Sequence, residues 1–101
     1  MIGWLRGRLL RKSLPTVIVD VQGVGYELDV PLRTYEDLPP EGETAELEVL
    51  TVFRGEELEL YGFSSLTERT LFKVLIGISG IGPRLGLSMV SSLTAEELQE
   101  A

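Results

Sequence analysis

The first 63 residues alternate apolar and polar positions at the period of a strand. Leu5 and Leu9 are interleaved with Trp4, Arg6 and Arg8. After Pro15 comes the β-branched run Thr16-Val17-Ile18-Val19-Asp20-Val21, and Gln22-Gly23-Val24-Gly25 reads as a turn. Tyr26, Leu28 and Val30 then alternate with Glu27 and Asp29, the mark of a half-buried strand, which Pro31 ends. Pro39-Pro40-Glu41-Gly42 is a loop. Ala45, Leu47 and Val49 alternate with Glu46 and Glu48 in a fourth strand, and from Leu50 to Phe53 the pattern becomes continuously apolar. Beyond the polar turn Arg54-Gly55-Glu56-Glu57, Leu58 and Leu60 alternate with Glu59 and Tyr61, and the fifth strand closes on Gly62-Phe63. Five short strands joined by tight turns predict a small barrel, with the OB-fold first among the candidates. The predicted fold is therefore α+β: a five-stranded OB-fold-like barrel over residues 1–63, then a helical segment over residues 64–101.

The period changes at residue 64. Ser65 with Glu68 three positions later forms a capping box, and Leu71, Phe72, Leu75 and Ile76 follow at helical spacing. Pro83 sits where a second helix would begin, and Leu85, Met89 and Leu93 predict its core stripe. Thr94 with Glu97 is a second capping box, and the chain stops at Ala101 within about two turns of it. An isolated helix needs roughly 12–15 residues to be even marginal, so a fragment of a longer protein is expected.

Composition narrows the chemistry. The chain has no cysteine and no histidine, which removes disulfides, the commonest general base and the commonest transition-metal ligands. No run of about 18 apolar residues predicts a membrane span, and the N-terminus lacks the plan of a signal peptide, so a cytoplasmic protein is expected. The net charge of −7 by itself argues against a nucleic-acid partner. Its distribution changes that picture. Residues 1–19 hold Arg6, Arg8, Arg11 and Lys12 and no acid, whereas residues 27–59 hold eleven acids against Arg33 and Arg54. Two differently charged faces are expected; the plainer alternative is an acidic, solvated surface that keeps the protein soluble.

The stretch that carries chemistry is Leu75-Ile76-Gly77-Ile78-Ser79-Gly80-Ile81-Gly82-Pro83-Arg84-Leu85-Gly86. Between two helices, glycines let the backbone take positive φ and let a ligand come close. The hairpin opens the N-terminus of the second helix, whose first amides lack intrahelical partners and, with the helix dipole, favour an anion. Ile81 is expected to plug the hairpin into the core, and Arg84 to reach a second phosphate oxygen. Such a site, Ser79, Gly80, Ile81, Gly82, Pro83 and Arg84, would read backbone phosphate rather than base identity. The alternative is a helical corner that needs glycine only for tight packing. The whole pattern matches the helix-hairpin-helix of DNA-binding proteins that do not read sequence.

Several blocks at consistent spacing resemble the RuvA family. Met1-Ile2-Gly3-Trp4-Leu5-Arg6-Gly7 looks like the family's opening, and Gly23-Val24-Gly25-Tyr26-Glu27 like its second-to-third strand turn. Leu60-Tyr61-Gly62-Phe63 and Glu68-Arg69-x-Leu71-Phe72 resemble its barrel-to-helix junction, and Ser79-Gly80-Ile81-Gly82-Pro83-Arg84-Leu85 its first helix-hairpin-helix. The resemblance implies a homotetramer that holds four-way (Holliday) junction DNA open and square-planar in recombination and repair. It implies a RuvB-type ring ATPase as partner, a RuvC-type nuclease acting on the same junction, no cofactor, and no ATP hydrolysis by this subunit. The family's second helix-hairpin-helix and RuvB-contacting domain are not in this sequence. The family also places a pair of acids, the acidic pin, in a barrel turn at the junction centre. Here Gly55 stands in place of one family acid and an acid follows, so Glu56 and Glu57 are the pin candidates, shifted by one. The alternative for this pair is an ordinary solvated hairpin tip.

Two other classes remain for comparison. An enzyme would need a nucleophile–base pair, a metal cluster or a phosphate loop of the Gly-x-x-x-x-Gly-Lys-Ser/Thr type, and none is legible. Glu56 and Glu57, as neighbours on a strand, would point to opposite faces and hold Mg²⁺ poorly. A generic OB-fold single-strand binder or oligomerisation module is the runner-up. Trp4, Arg6 and Arg8 fit it loosely, but the acidic flank opposes it.

Overall fold

The computed structural model describes residues 1–92. Five strands form a closed barrel in the order β1-β2-β3-β5-β4: β1 (Trp4–Ser13), β2 (Thr16–Val21), β3 (Val24–Asp29), β4 (Thr44–Arg54) and β5 (Glu57–Phe63). A short helix, α1 (Leu32–Asp37), bridges β3 and β4, and α2 (Leu66–Ile76) and α3 (Pro83–Ser92) follow the barrel. The OB-fold-like barrel and the helix–hairpin–helix after it agree with the sequence. The helix α1 is absent from that reading. Its six residues are too few to show a helical period, and its N-cap, Pro31, has no side-chain cap hydrogen bond.

Alternation along each strand sends one set of side chains inward. Leu5, Leu9, Val17, Val19, Leu28, Val30, Ala45, Leu47 and Val49 form the barrel core. A second cluster of Leu50, Tyr61, Phe63, Phe72, Leu87 and Val90 joins the outer face of β4 and β5 to the helices. That is why the apolar pattern becomes continuous after Val49: one face of β4 looks into the barrel and the other lies under α2. Phe72 stacks on Tyr61 and Phe63 with ring centroids 5.0 and 5.1 Å away. Arg69 Nε donates to the carbonyl of Val49 at 2.6 Å and ties α2 to the barrel wall.

The turns obey local chemistry. Gln22 and Gly23 both have positive φ, 51° and 91°, as a type I′ hairpin demands, and Asp20 Oδ1 accepts from the Gly23 N–H at 2.7 Å. The turn is narrower than the four residues expected, because Val24 and Gly25 already pair with Val21 and Asp20. At the other hairpin Arg54 pairs with Glu57, leaving Gly55 and Glu56 as the loop. Gly55 has φ 64°, the first position of a type II′ turn.

The N-cap at Ser65 forms as expected, its Oγ accepting from the Glu68 N–H at 3.2 Å, while the Glu68 carboxylate reaches back to the Ser65 hydroxyl, also at 3.2 Å, in place of the backbone N–H of a full capping box. The stripe expected for the next helix is corrected. Leu85 is 50% exposed and Met89 half-buried, while Gly86, Leu87 and Val90 face the core. Gly86 lets α3 approach α2 closely, so the helix turns its small residue inward and Leu85 outward. Leu93 and the Thr94–Glu97 box lie outside the described residues. Among the described residues no helix is long and apolar enough to cross a membrane.

Candidate nucleic-acid interface

The hairpin between α2 and α3 grows out of its own backbone. The N–H groups of Gly77 and Ile78 bond back to Val74 and Leu75 at 3.2 and 3.0 Å, and the Ile81 N–H bonds to Ile78 at 3.1 Å. These bonds wind the chain tightly off α2. Gly80 then takes φ 92°, a conformation that side chains rarely adopt, and turns the chain toward α3. Pro83 opens α3, and the Gly86 N–H bonds to the Gly82 carbonyl at 2.9 Å to close its first turn. The amides of Arg84 and Leu85 precede that bond and have no i−4 partner in the helix.

Ser79, Gly80, Gly82 and Arg84 are exposed, and Pro83 is half-buried. Ile81 is only half-buried and belongs to neither core cluster, so the expected plug is corrected. The hydrogen-bonded coil before it already sets the hairpin, and Phe72 with Gly86 fills the space between the helices. A Cβ built on Gly82 or Gly80 meets nothing within 4 Å, whereas one on Gly86 would lie 3.0 Å from Phe72 Cε1. Gly86 serves packing; Gly82 leaves open space in front of the helix N-terminus.

A groove runs between the barrel and α3, and Arg54, Glu59, Tyr61, Pro83, Arg84 and Ser88 are among its lining residues. Arg84 of the hairpin and Arg54 of the acidic turn thus share one groove. The sequence marks Arg54 only as part of a polar turn; its place beside the acids is the available signal. Its guanidinium lies 3.7 Å from Glu59, with 59% of its side chain exposed, so the pair is loose enough to exchange for another anion. Tyr61 donates to Glu59 Oε1 at 2.8 Å. Burial, that hydrogen bond and the charges of Glu59 and Asp29 push the phenol well above its usual range, against a smaller opposing effect of Arg54.

Glu56 lies in the β4–β5 turn and Glu57 begins β5; both are exposed. They are therefore not two faces of one strand, as expected from their adjacency. Among the described residues no three acids gather in a way that could hold a metal ion.

This architecture defines a class: an OB-fold-like barrel extended by a glycine-hinged pair of helices. The RuvA N terminal domain family matches residues 1–62, and the chain belongs to that family. It is 43% identical over 101 residues to the Holliday junction branch migration complex subunit RuvA of Geobacter sulfurreducens, covering 100% of this chain and 51% of that protein. It is 48% identical over 101 residues to the protein of the same name in Polaromonas, again covering 100% of the chain and 53% of the relative. The Pseudomonas putida counterpart is 49% identical over 98 residues, 97% of this chain and 48% of that one. The chain thus spans about half the length of these relatives.

Proposed function

We propose that this chain is the DNA-engaging half of a subunit that binds four-way junctions without reading sequence, as part of a branch-migration complex in the cytoplasm. Residues 1–63 and 64–101 are its two domains, a barrel and a helix-hairpin-helix, packed on each other through the cluster around Phe72. The observation that carries the reading is the open hairpin at Gly80–Arg84, whose last residue, Arg84, lines a groove that Arg54 lines as well. A helix N-terminus opened by glycines, with guanidinium groups nearby, suits phosphates and carries no base code. In the assembled protein four copies surround one junction, the barrels toward the centre, with Glu56 and Glu57 at the crossing point. This subunit hydrolyses nothing: the ATPase is a separate RuvB-type ring, and a RuvC-type nuclease acts on the same junction.

The single-strand-binding alternative has the exposed Trp4, with the Arg6 guanidinium 5.7 Å from its ring centroid, in its favour. OB-fold proteins of that kind use the β1–β2 and β4–β5 loops around their ligand. Here those loops carry Leu14-Pro15 and the acid Glu56, with Glu57 next to it at the start of β5, and the acids repel a strand.

The test is a mobility shift with full-length protein on a four-way junction and on linear duplex of equal length. Junction preference is expected. Arg84→Ala should weaken junction binding and reduce the slope of log affinity against log salt by roughly one, as for a single phosphate contact. An unchanged slope would place the contact elsewhere.

A further inference from the structure

The two guanidinium groups of the groove are not equivalent. Among the described residues Arg84 makes no ion pair, whereas Arg54 is held. The strand register shows how. Alternation along β5 puts Glu57, Glu59 and Tyr61 on one face, and Glu57 stands directly opposite Arg54 across the hairpin. The ion pair nevertheless runs diagonally, from Arg54 Nη1 to Glu59 Oε1 at 3.7 Å. Its cause lies two residues further along the same face. Buried Tyr61 donates its hydroxyl to that same oxygen of Glu59 at 2.8 Å, which holds the carboxylate at the groove while Glu57 stays in solvent. The Glu59 side chain is 28% exposed and that of Arg54 59%, so the acid is anchored and the guanidinium reaches it from solvent. The other carboxylate of the groove, Asp29, is engaged elsewhere: its Oδ1 accepts from the Thr16 hydroxyl at 2.7 Å.

A carboxylate and a phosphate offer a guanidinium the same charge and the same pair of acceptor oxygens. An exposed ion pair contributes little by itself, so an anion arriving from solution replaces it at small cost. We propose that Glu59 is a built-in competitor for Arg54. It occupies the guanidinium when no phosphate is there and takes it back each time a phosphate leaves. Arg84 then holds phosphate without a rival, while the contact at Arg54 is short-lived. Tyr61 is the positioning residue that keeps the competing oxygen within reach. This inference rests on the groove reading above and supplies its regulation: DNA that slides through a branch-migration complex needs contacts that release as readily as they form.

The experiment uses full-length protein and a four-way junction. Glu59→Gln removes the charge yet keeps an amide oxygen for the Tyr61 hydroxyl. It should tighten junction binding roughly two- to fivefold, the range open to an exposed ion pair, mostly through slower dissociation. In Arg54→Ala protein the competitor has nothing to occupy, and there Glu59→Gln should give no gain. Mobility shifts give the affinities, and a chase with unlabelled junction gives the dissociation rates. Urea melts check folding, and Arg54→Gln replaces Arg54→Ala if that variant fails the check. A gain of equal or greater size in the Arg54→Ala background would make Glu59 one more diffuse negative charge, and no gain in either background would make the ion pair a bystander; both results overturn the proposal. If Arg54→Ala and Arg84→Ala each bind the junction as the parent does, the groove reading itself fails.

Discussion

At Tyr61 the barrel, the helices and the groove meet. Its ring packs on Phe72, and its hydroxyl donates to Glu59 at the groove wall. Burial first, then the Glu59 hydrogen bond and nearby carboxylate charge, disfavour the phenolate and raise the pKa. The folded chain therefore holds the Tyr61 proton more tightly than the unfolded chain, whose tyrosine titrates near 10. The stability linked to this proton is fully present below that value and is lost as pH rises above it. Tyr61→Phe should lower stability at neutral pH by about 0.5–1.5 kcal/mol for the lost hydrogen bond. It should also flatten the fall in stability between roughly pH 10 and 12, where the wild type must give up the proton to unfold. Denaturant melts of both proteins at pH 7 and across that alkaline range provide the check; parallel pH curves would show that Tyr61 is not the group responsible. Glu59 stands two residues away on the same strand, but the burial that leads the shift comes from packing between elements, Phe72 of α2 against Tyr61 of β5, which the linear sequence does not display.

At the scale of elements, two glycines four residues apart do opposite things. Gly86 lies against Phe72, itself held between Tyr61 and Phe63, so the ring has nowhere to go. Gly86→Val should cost roughly 1–3 kcal/mol of stability through overpacking. Gly82 has open space where a side chain would stand, and it precedes proline, where an extended backbone suits valine. Gly82→Val should melt within about 0.5 kcal/mol of the parent, as for a surface substitution, yet weaken junction binding by blocking the approach of a phosphate. Thermal melts and mobility shifts of the two variants separate packing from ligand approach; a binding defect in neither would leave both glycines purely structural. This contrast also shows what the sequence could reveal. The barrel strands were legible because alternation is a property of neighbours in the chain, and the Ser65 cap because its partners are three residues apart. The buried stripe of α3 was misread because small Gly86 carries no hydrophobic signal, although it is what lets α3 settle against Phe72. Helix α1 was invisible for want of length. The hairpin residues Ser79 to Arg84 were legible as a group, while Arg54 joined them only when the fold placed it on the same groove.

For the whole molecule the question is how a chain of net charge −7 can serve a polyanion. Arg54 and Arg84 line one groove alongside the carboxylates of Asp29 and Glu59, while Glu56 and Glu57 are exposed at the β4–β5 turn. In the proposed assembly that turn points to where four DNA arms converge. Carboxylates there repel phosphates by about 1 kcal/mol per pair at 4 Å in water, and by several times more where solvent is excluded. They cannot strengthen binding, but they can choose between ligands. A linear duplex lying across the centre would bring phosphates over the acids, whereas an open junction leaves a gap at that point, so the wrong ligand loses more than the right one. The Gly55 turn supports the role, since a type II′ bend holds the two acids at the tip of a paired hairpin. In full-length protein, Glu56→Gln together with Glu57→Gln should therefore raise affinity for linear duplex more than for the junction. The ratio of the two affinities should fall, and most at low salt, where screening is weakest. Mobility shifts on both DNAs over a salt series measure that ratio directly. Equal gains for both would reduce the acids to a diffuse charge effect, and no gain for either would make the turn an ordinary solvated hairpin tip.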